Sequence, residues 1–543
     1  MFIIVTGVFL IALIGVLFIG QRAMGRQEFK NEILKGEYSD DKNLLSDKYS
    51  TDASWFCIEP SKVYFPKTVS EVQEITKSIL NKKKQGEDVS LSVRAGGTCM
   101  SGGSLTKDTV IDMTKYLNKV TVDVEKKTAT VEGGAYFRDI EDTAKKHGLM
   151  FPAFPSSHRV CGIGGMIGNN ASGEKSLRGG ATVDNVLELQ MVMADGSVQN
   201  FKQKSLTAEM SETDKAVISL YDKCGRSLSK AVGRVKKNAS GYRLDRVVNK
   251  NGFNAIPLFV GAQGTLGIVT KAVLKLSPIP KYTELVIVSA NNLNDLPNII
   301  NTAFSYNPES LETFDINTFN KAKEHLSEHA KHLLTYIDEE AKLFILAQFS
   351  EDSKEATISQ AEKFSKDIKD QGYTVSRVTK ILDVMSAWQV RRNSFLLMRD
   401  YNPKGFRAMP CIEDVIVPLD KIGEFIAELT KILETHTEHY GFHGHIGDGS
   451  LRIIPVFDFT KPDVLEKIFT LMRETFALVK RLEGNISADH SDGFIRTPFL
   501  KEFYGEDIYS AFEELKKVYD PYNIMNPNKK VNGSLDLIKK YLR

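Results

Sequence analysis

No two of the five cysteines stand at a CxxC spacing. Cys57, Cys99, Cys161, Cys224 and Cys411 are scattered through 543 residues. A disulfide framework, or an iron–sulfur cluster held by this chain alone, is therefore not expected, and the odd count suits a reducing compartment. The sequence has no GxGxxG and no GxxxxGK(S/T), which disfavours NAD and ATP as ligands. It also lacks a charge excess. The 71 basic and 69 acidic residues leave a net charge of +2, so nothing in the balance calls for nucleic acid. Internal repeats and low-complexity tracts are missing as well. What remains, 42% hydrophobic and 26% charged residues, is an ordinary globular composition. The length exceeds one usual core, so two or more folding units are expected.

The clearest local signal is N-terminal. Residues 1–20 carry no charged side chain, and 2–17 are almost entirely Ile, Val, Leu, Phe and Gly. Twenty helical residues at about 1.5 Å each cross a hydrocarbon core. A cleaved secretory signal is the competing reading. However, no basic region precedes the apolar stretch and no small-x-small site follows it. Arg22, Arg26 and Lys30 follow the span and favour keeping that flank in the cytoplasm. The expectation is an uncleaved single-pass transmembrane helix over 1–20, a polar tether over 21–54, and a cytoplasmic catalytic body. No later stretch is long and apolar enough to span a bilayer.

Beyond the tether, Thr68 to Glu71 reads as a capping box, with Val69, Val72, Ile75 and Ile79 at helical spacing. Strands are expected over 90–93, 110–112, 120–124 and 128–131, the last two joined by a charged turn at 125–127. A helix over 136–147 stops at Gly148. Residues 187–192 form a strand turning at Asp195-Gly196, and 258–260 reads as another buried strand. After Pro278 and Pro280 the pattern becomes strand–helix alternation. Strands are expected over 284–289, 343–349 and 374–379, and helices over 293–304, 354–371 and 418–435. A domain boundary near 280 follows, with an α+β fold on both sides.

Three loops rich in glycine lie in the first half. Residues 94–103, Arg-Ala-Gly-Gly-Thr-Cys-Met-Ser-Gly-Gly, follow a strand and offer exposed backbone N–H groups that a diphosphate can approach closely. Residues 155–173 have no helix or strand pattern, and long structureless loops are usually functional. Residues 261–270 contain three more glycines after the apolar run. Together they suggest one extended ligand.

The second half supplies the reactive groups. Arg391 and Arg392 are adjacent. Such a pair is commonly a solvated helix face, yet a guanidinium matches a carboxylate bidentately, as an acid substrate requires. His443 and His445 stand among glycines beside Asp448, with Arg452 seven residues after the second histidine. His490 lies between Asp489 and Ser491. A base for alcohol oxidation should titrate near working pH, and histidine's ordinary value of about 6.5 suits that. Asp489 or Asp492 could orient its ring.

These pieces resemble the FAD-binding domain of the vanillyl-alcohol oxidase/p-cresol methylhydroxylase superfamily. More narrowly they are similar to the FAD-linked D-lactate dehydrogenase and glycolate oxidase group. RAGGTCMSGG, GGMIGNNASG, TVDNVLELQMVMADG, KNASGYRLD and GAQGTLGIVT occur in the family's order and spacing, and the likeness runs from Tyr49 to Pro527. It implies a two-subdomain PCMH-type FAD-binding domain over 55–280 and an α+β FAD-linked oxidase C-terminal, or cap, domain over 281–535. It further implies that Arg94, Ala95, Gly96, Gly97, Thr98 and Ser101 cradle the FAD diphosphate. Pro155, Ser156, Gly164, Gly165, Asn169, Ser172 and Ile268 would line the cofactor. Relatives that attach flavin covalently do so through a histidine where this chain has Thr98, so the FAD is expected to be non-covalent. Cys99 and Cys161 are expected to be structural.

The family's W-x-x-R pattern places a substrate-carboxylate arginine at Arg391, and its motif places a catalytic histidine at His490. Many relatives read H-x-G-x-G-x-L-H, and those two histidines bind a divalent metal with a later Glu. Here His445 fills the first position, Arg452 replaces the second histidine, and Asp489 replaces the Glu. An arginine cannot ligate a metal, so none is expected. The implied reaction is oxidation of a small 2-hydroxy acid, D-lactate- or glycolate-like, to the 2-oxo acid. Hydride passes to flavin N5, Arg391 clamps the carboxylate, His490 takes the proton, and His445 with Arg452 polarises the substrate. The segments DHSDGFIRTPFL and YDPYNIMNP are similar to relatives that continue into an iron–sulfur domain. This sequence ends at Arg543 without one, so a membrane quinone or a separate iron–sulfur subunit is the expected electron acceptor. Two alternatives stay open: a sugar or aldonolactone oxidase of the same superfamily, and a membrane-tethered flavin-binding scaffold with degenerate chemistry.

Overall fold

The structure, a computed structural model, describes residues 37–543. The capping signal at Thr68 starts the helix Val69–Lys84: the Thr68 hydroxyl accepts the Glu71 N–H at 3.2 Å, and the Glu71 carboxylate accepts the Lys67 N–H at 2.8 Å. Val72, Ile75 and Ile79 bury one face of that helix in a core shared with Leu91 and Ile111. The underlying sheet runs Glu37–Ser39, Lys62–Phe65, Thr109–Asp112, Leu91–Arg94, with the last three parallel. A second, antiparallel sheet runs Val120–Asp123, Thr128–Glu132, Ile268–Lys275, Val186–Val192, Val198–Phe201. The strand Ile268–Lys275 arrives from far along the chain and inserts at its centre. It thereby brings the third glycine loop beside the first two.

The cap is built on one large antiparallel sheet. Its order is Thr374–Val378, Tyr282–Ala290, Leu343–Glu351, Ser310–Asp315, His439–His445, Ser450–Asp458, Phe406–Ala408, with Val415–Ile416 also pairing with Ser450–Asp458. The earliest of these strands along the chain, Tyr282–Ala290, begins just after residue 280. In the hairpin His439–His445/Ser450–Asp458, His443 stands opposite Arg452. Neighbouring Ser310–Asp315 pairs Thr313 with Gly444, which brings Glu312 beside His445. Register therefore gathers chemistry from three separate segments onto one patch of sheet.

After the cap the chain returns to the first domain. Helix Glu506–Tyr519 packs on Glu212–Ala231. Leu91 N–H donates to Ile524 O at 2.8 Å, and Asn526 N–H to Leu91 O at 2.7 Å. The contacts continue past 535: Cys57 N–H donates to Tyr541 O at 2.9 Å.

Four expectations need correction. The run 258–260 is not a strand: Leu258 and Phe259 end a short helix, Ile256–Phe259, and Val260 follows as its cap. Pro257 sits in its first turn, and a short apolar run alone does not distinguish the two states. The loop 155–173 contains a helix, Ile163–Asn169, hidden because Gly164, Gly165 and Gly168 are poor helix formers. The described residues of the tether, 37–54, are folded: Leu45 and Tyr49 are buried, and the Tyr49 hydroxyl donates to Asp112 at 2.7 Å. The final helix, Leu535–Tyr541, extends the folded body beyond 535. Among the described residues no helix is long and apolar enough to cross a membrane. The anchor expected over 1–20 lies outside them.

Candidate active site

The three glycine loops line one cavity that is partly open to solvent. Arg94, Ala95, Gly96, Gly97, Thr98, Gly164, Gly165, Asn169 and Ile268 line it, as expected. Gly133, Gly162, Gln263 and Gly267 also line it, and the sequence reading missed them. Close approach explains several of the glycines. A Cβ on Gly96 would lie 2.2 Å from Val160 O, so only glycine lets the first and second loops meet there. Other glycines leave the cavity open. A Cβ at Gly165, Gly168 or Gly264 would meet no protein atom closer than 3.5 Å and would project into the space itself. Within this lining, Arg94 Nη1 is buried without a hydrogen-bond partner. A bare cradle with an unanswered cationic donor fits a diphosphate-bearing cofactor.

Four expected cofactor residues lie elsewhere. Pro155 and Ser156 stand outside the lining, and Ser156 is exposed. Ser101 is buried beneath the first loop, where its hydroxyl donates to His490 O at 3.1 Å and accepts from Gln263 Nε2 at 3.0 Å. Ser172 donates to Asp489 at 2.6 Å. Both serines thus join the cavity wall to the segment carrying His490. That segment is held further: Gly493 N–H donates to Gln263 Oε1 at 2.8 Å, and Ser491 Oγ to Gly261 O at 2.7 Å. The histidine of the second half is therefore seated against the first and third glycine loops.

Beside it runs a continuous chain of buried polar groups. Arg391 pairs with Glu312 at 2.6 Å, and the second Glu312 oxygen accepts from His445 Nδ1 at 2.7 Å. His445 Nε2 lies 3.2 Å from Arg452 Nη2, which also donates to Asp489 at 2.9 and 3.2 Å. Arg452 Nη1 lies 2.6 Å from His490 Nε2, while His490 Nδ1 contacts Glu413 at 2.6 Å. The other Glu413 oxygen accepts from Arg496 at 2.7 Å. All four expected reactive residues, Arg391, His445, Arg452 and His490, are brought together. Their openness differs. The side chains of Arg452 and His490 each keep 12% exposure, against 4% or less for Arg391, Glu312 and His445. Arg391, expected to clamp a substrate carboxylate, is already answered by Glu312. The group orienting the His490 ring is Glu413, neither Asp489 nor Asp492. Asp492 instead accepts from Gly241 N–H and from Lys530 at 2.8 Å each.

An arginine has only donors, so both Nε2 atoms facing it present lone pairs and both Nδ1 atoms carry the proton. Burial and the Arg452 charge pull the His490 ring down. Glu413 and Asp414 outweigh them and hold it above its ordinary value. The geometry thus turns Nε2 toward Arg452, while the two carboxylates favour its protonation. His445 is lowered, chiefly by burial. Burial alone would raise the Glu413 carboxyl, but the charges of His490 and Arg496 hold it at about 2. Asp414 is pushed up to about 7 by burial and then by the Asp489 charge.

Lys237 completes the constellation. Buried, it donates to Ser172 and Ser176 at 2.9 and 3.2 Å and pairs with Asp448 at 3.0 Å, lacing the first domain to the cap. Arg392 does the same on its own side by a two-pronged pair with Glu174. Lys237, Glu312, Glu413, Asp414 and Arg496 were not foreseen as site residues. A faint signal exists for two of them: Glu413 and Asp414 interrupt the apolar run Cys411-Ile-Glu-Asp-Val-Ile-Val. Charged residues in such a run must be buried and paired.

Comparison with known proteins agrees with the architecture. The family model for an FAD binding domain matches residues 60–202, and that for the C-terminal domain of FAD linked oxidases matches 279–530. FAD is thus the cofactor. The chain is 27% identical over 500 residues to D-2-hydroxyglutarate dehydrogenase of Pseudomonas putida, covering 88% of this chain and 49% of that protein. It spans about half the length of the curated relatives it first matches. It is 26% identical to glycolate oxidase subunit GlcD of Bacillus subtilis, covering 91% of this chain and 94% of the other. It is 25% identical to D-lactate dehydrogenase of Archaeoglobus fulgidus, covering 86% and 90%. Among solved structures, 4-ethylphenol oxidase from Gulosibacter chungangensis shares the fold, with a TM-score of 0.67, 18% identity, and 95% and 98% of the two chains covered.

Proposed function

We propose that this chain, whose residues 60–202 match an FAD binding domain and 279–530 the C-terminal domain of FAD linked oxidases, oxidises a small 2-hydroxy acid to the 2-oxo acid. One observation carries the reading. A histidine lone pair, oriented by Glu413 at 2.6 Å, is fixed to the wall of the flavin cavity through Ser101 and sits beside a partly open guanidinium. Bound FAD, held non-covalently by the glycine cradle and Arg94, supplies the acceptor for the hydride that leaves the substrate Cα. His490 Nε2 takes the hydroxyl proton as the carbonyl forms. Arg452, the cation of the chain that keeps 12% side-chain exposure, meets the carboxylate and hydroxyl oxygens. Arg391 and His445 act behind it through Glu312, fixing the guanidinium's position. The substrate oxygens compete with His490 for Arg452 Nη1, and that exchange frees the base.

The relatives named for D-2-hydroxyglutarate, glycolate and D-lactate support the substrate class. For electron exit the reading is a membrane quinone or a separate iron–sulfur partner. The uncharged segment 1–20 and the following Arg22, Arg26 and Lys30 support a membrane-anchored chain with its catalytic body in the cytoplasm. The test is product identification. The holoprotein is given D-lactate, L-lactate, glycolate or D-2-hydroxyglutarate with a soluble quinone, and the 2-oxo acid is assayed. Formation of one such product supports the reading, and aldonolactone oxidation in its place would overturn it. A second reading, a flavin-binding scaffold, is favoured by one fact: Arg391 Nη2 and His490 Nε2 are both engaged within the protein. Absence of any turnover despite bound flavin would select it.

A further inference from the structure

The histidine motif of the second half departs from its family where a metal is implied, and the structure shows what stands there. Arg452 Nη2 lies 3.2 Å from His445 Nε2 and 2.9 and 3.2 Å from the two Asp489 oxygens. Those are the lone pairs that a divalent ion would have to gather, at about 2.0–2.2 Å each. A guanidinium nitrogen in hydrogen-bond contact with all of them fills that space and uses the same electron pairs. Arginine itself offers no lone pair to a cation. The outer support is nevertheless complete. His445 Nδ1 contacts Glu312 at 2.7 Å, the arrangement by which a carboxylate orients a metal-bound histidine. Here the same device aims Nε2 at a guanidinium.

Among the described residues one other set, Asp414, Asp489 and His490, gathers three possible ligand atoms. It is closed as well. Asp414 accepts from Ser487 Oγ at 2.8 Å and from the backbone N–H groups of Asp489 and His490. The His490 Nε2 atom faces Arg452 at 2.6 Å. Among the described residues, no donor set around this point fits a divalent ion.

We propose that this chain works at its second-half site without a metal ion, the Arg452 guanidinium taking the position and the charge-stabilising role that the family motif gives to the metal. A single positive charge replaces two, and directed N–H donors replace an open coordination position. Oxygen ligands of the substrate are held by hydrogen bonds, so chelators have nothing to remove. The proposal concerns the site read above as catalytic and rests on that reading for its role, but metal content is measured without turnover. A chain that oxidised no hydroxy acid would fail the functional reading and leave the metal result standing, and the converse also holds.

The experiment uses the flavin-loaded full chain, exposed to excess Zn²⁺ or Mn²⁺, desalted, and analysed for metal per flavin. Wild type is expected to keep less than about 0.1 equivalent and to reduce its flavin equally fast after EDTA treatment. Arg452→His restores a second histidine beside His445 and Asp489, and should retain about one equivalent, lost again when His445→Ala is added. Bound flavin reports that each variant is folded. Stoichiometric metal in wild type, removed by His445→Ala, would overturn the proposal. So would a flavin-loaded Arg452→His protein that takes up no metal. Should Arg452→His not hold flavin, Arg452→Cys makes the same comparison with a thiolate ligand, and the wild-type metal content decides by itself.

Discussion

The cavity for the flavin and the ground beside it are built from opposite materials. Around the cavity, side chains are withheld: backbone is exposed, glycines let loops approach, and one buried guanidinium nitrogen, Arg94 Nη1, is left without a partner. Around His490, charged side chains are packed together and answer one another, from Arg391 through Glu312, His445, Arg452 and Glu413 to Arg496. Cofactor recognition on the first side depends on shape. On the second, it is the reactive state of one ring that is controlled, by placing fixed charges on either side of it.

The strongest way to break this contrast is His490→Ala. Flavin content should stay at the wild-type level while anaerobic flavin reduction falls by about 10²–10⁴, the usual worth of a positioned base. Loss of flavin instead would show that the two regions are not separable. The pH profile sharpens the same point. Glu413 and Asp414 hold the His490 ring above its ordinary value of 6.5. The unprotonated ring is the active form, so the rate is present above that raised value and is lost as pH falls through it. Glu413→Gln should move the acid limb of flavin reduction to lower pH, and an unmoved limb would assign it to another group.

Lys237→Ala comes next in size. It leaves Asp448 buried without its cation, at a cost of about 3–5 kcal/mol in unfolding stability. Adding Asp448→Asn should restore some of it, because removing both partners is milder than removing one. Denaturant unfolding of wild type, the single variant and the double variant measures this. On the shape-controlled side, Gly96→Ala forces a methyl to within 2.2 Å of Val160 O and must push the first and second loops apart. The expected cost is about 1–3 kcal/mol, read as an approximately tenfold or greater loss of flavin affinity with the charged network intact.

The smallest effect concerns a buried carboxyl outside the network. Asp315 caps the helix Ile316–His325 through the Thr318 N–H, and burial pushes it up to about 6. Its folded value lies above its unfolded one, so its penalty is small at pH 4, grows between about 4 and 6, and is full at pH 8. Asp315→Asn keeps the cap and should raise stability by about 1–3 kcal/mol at pH 8 and by much less at pH 4. Thermal unfolding at both values checks it.

The same contrast governs what could be read from the chain. Glycine-rich loops are local, so 94–103, 155–173 and 261–270 were legible as the walls of one ligand site, while the cradle at 94–98 and its partners Gly164, Gly165, Asn169 and Ile268 came from likeness to the family. The capped helix after Thr68 and the strand–helix alternation of the cap were legible too. The charged chain is assembled from distant segments, on strands Ser310–Asp315, His439–His445 and Ser450–Asp458 and in the loops near 413 and 490. No periodicity announces that Glu413 rather than Asp489 will face the ring, because cross-strand register and long-range return decide it. His490, Arg391, His445 and Arg452 were found by likeness to a family motif, and the state of Arg391, closed by Glu312, was not visible there. Ile256–Phe259 and Ile163–Asn169 were misread for a simpler reason: short helices rich in proline or glycine contradict their own propensities.

The most direct test of the account is anaerobic. Flavin-loaded full-length protein, wild type and His490→Ala, is mixed in turn with D-lactate, L-lactate, glycolate and D-2-hydroxyglutarate while the flavin absorbance is followed. The account predicts that one of these acids bleaches the wild-type flavin and leaves the His490→Ala flavin oxidised over the same interval. Equal bleaching of both proteins, or a wild-type flavin that none of the four reduces, would contradict it.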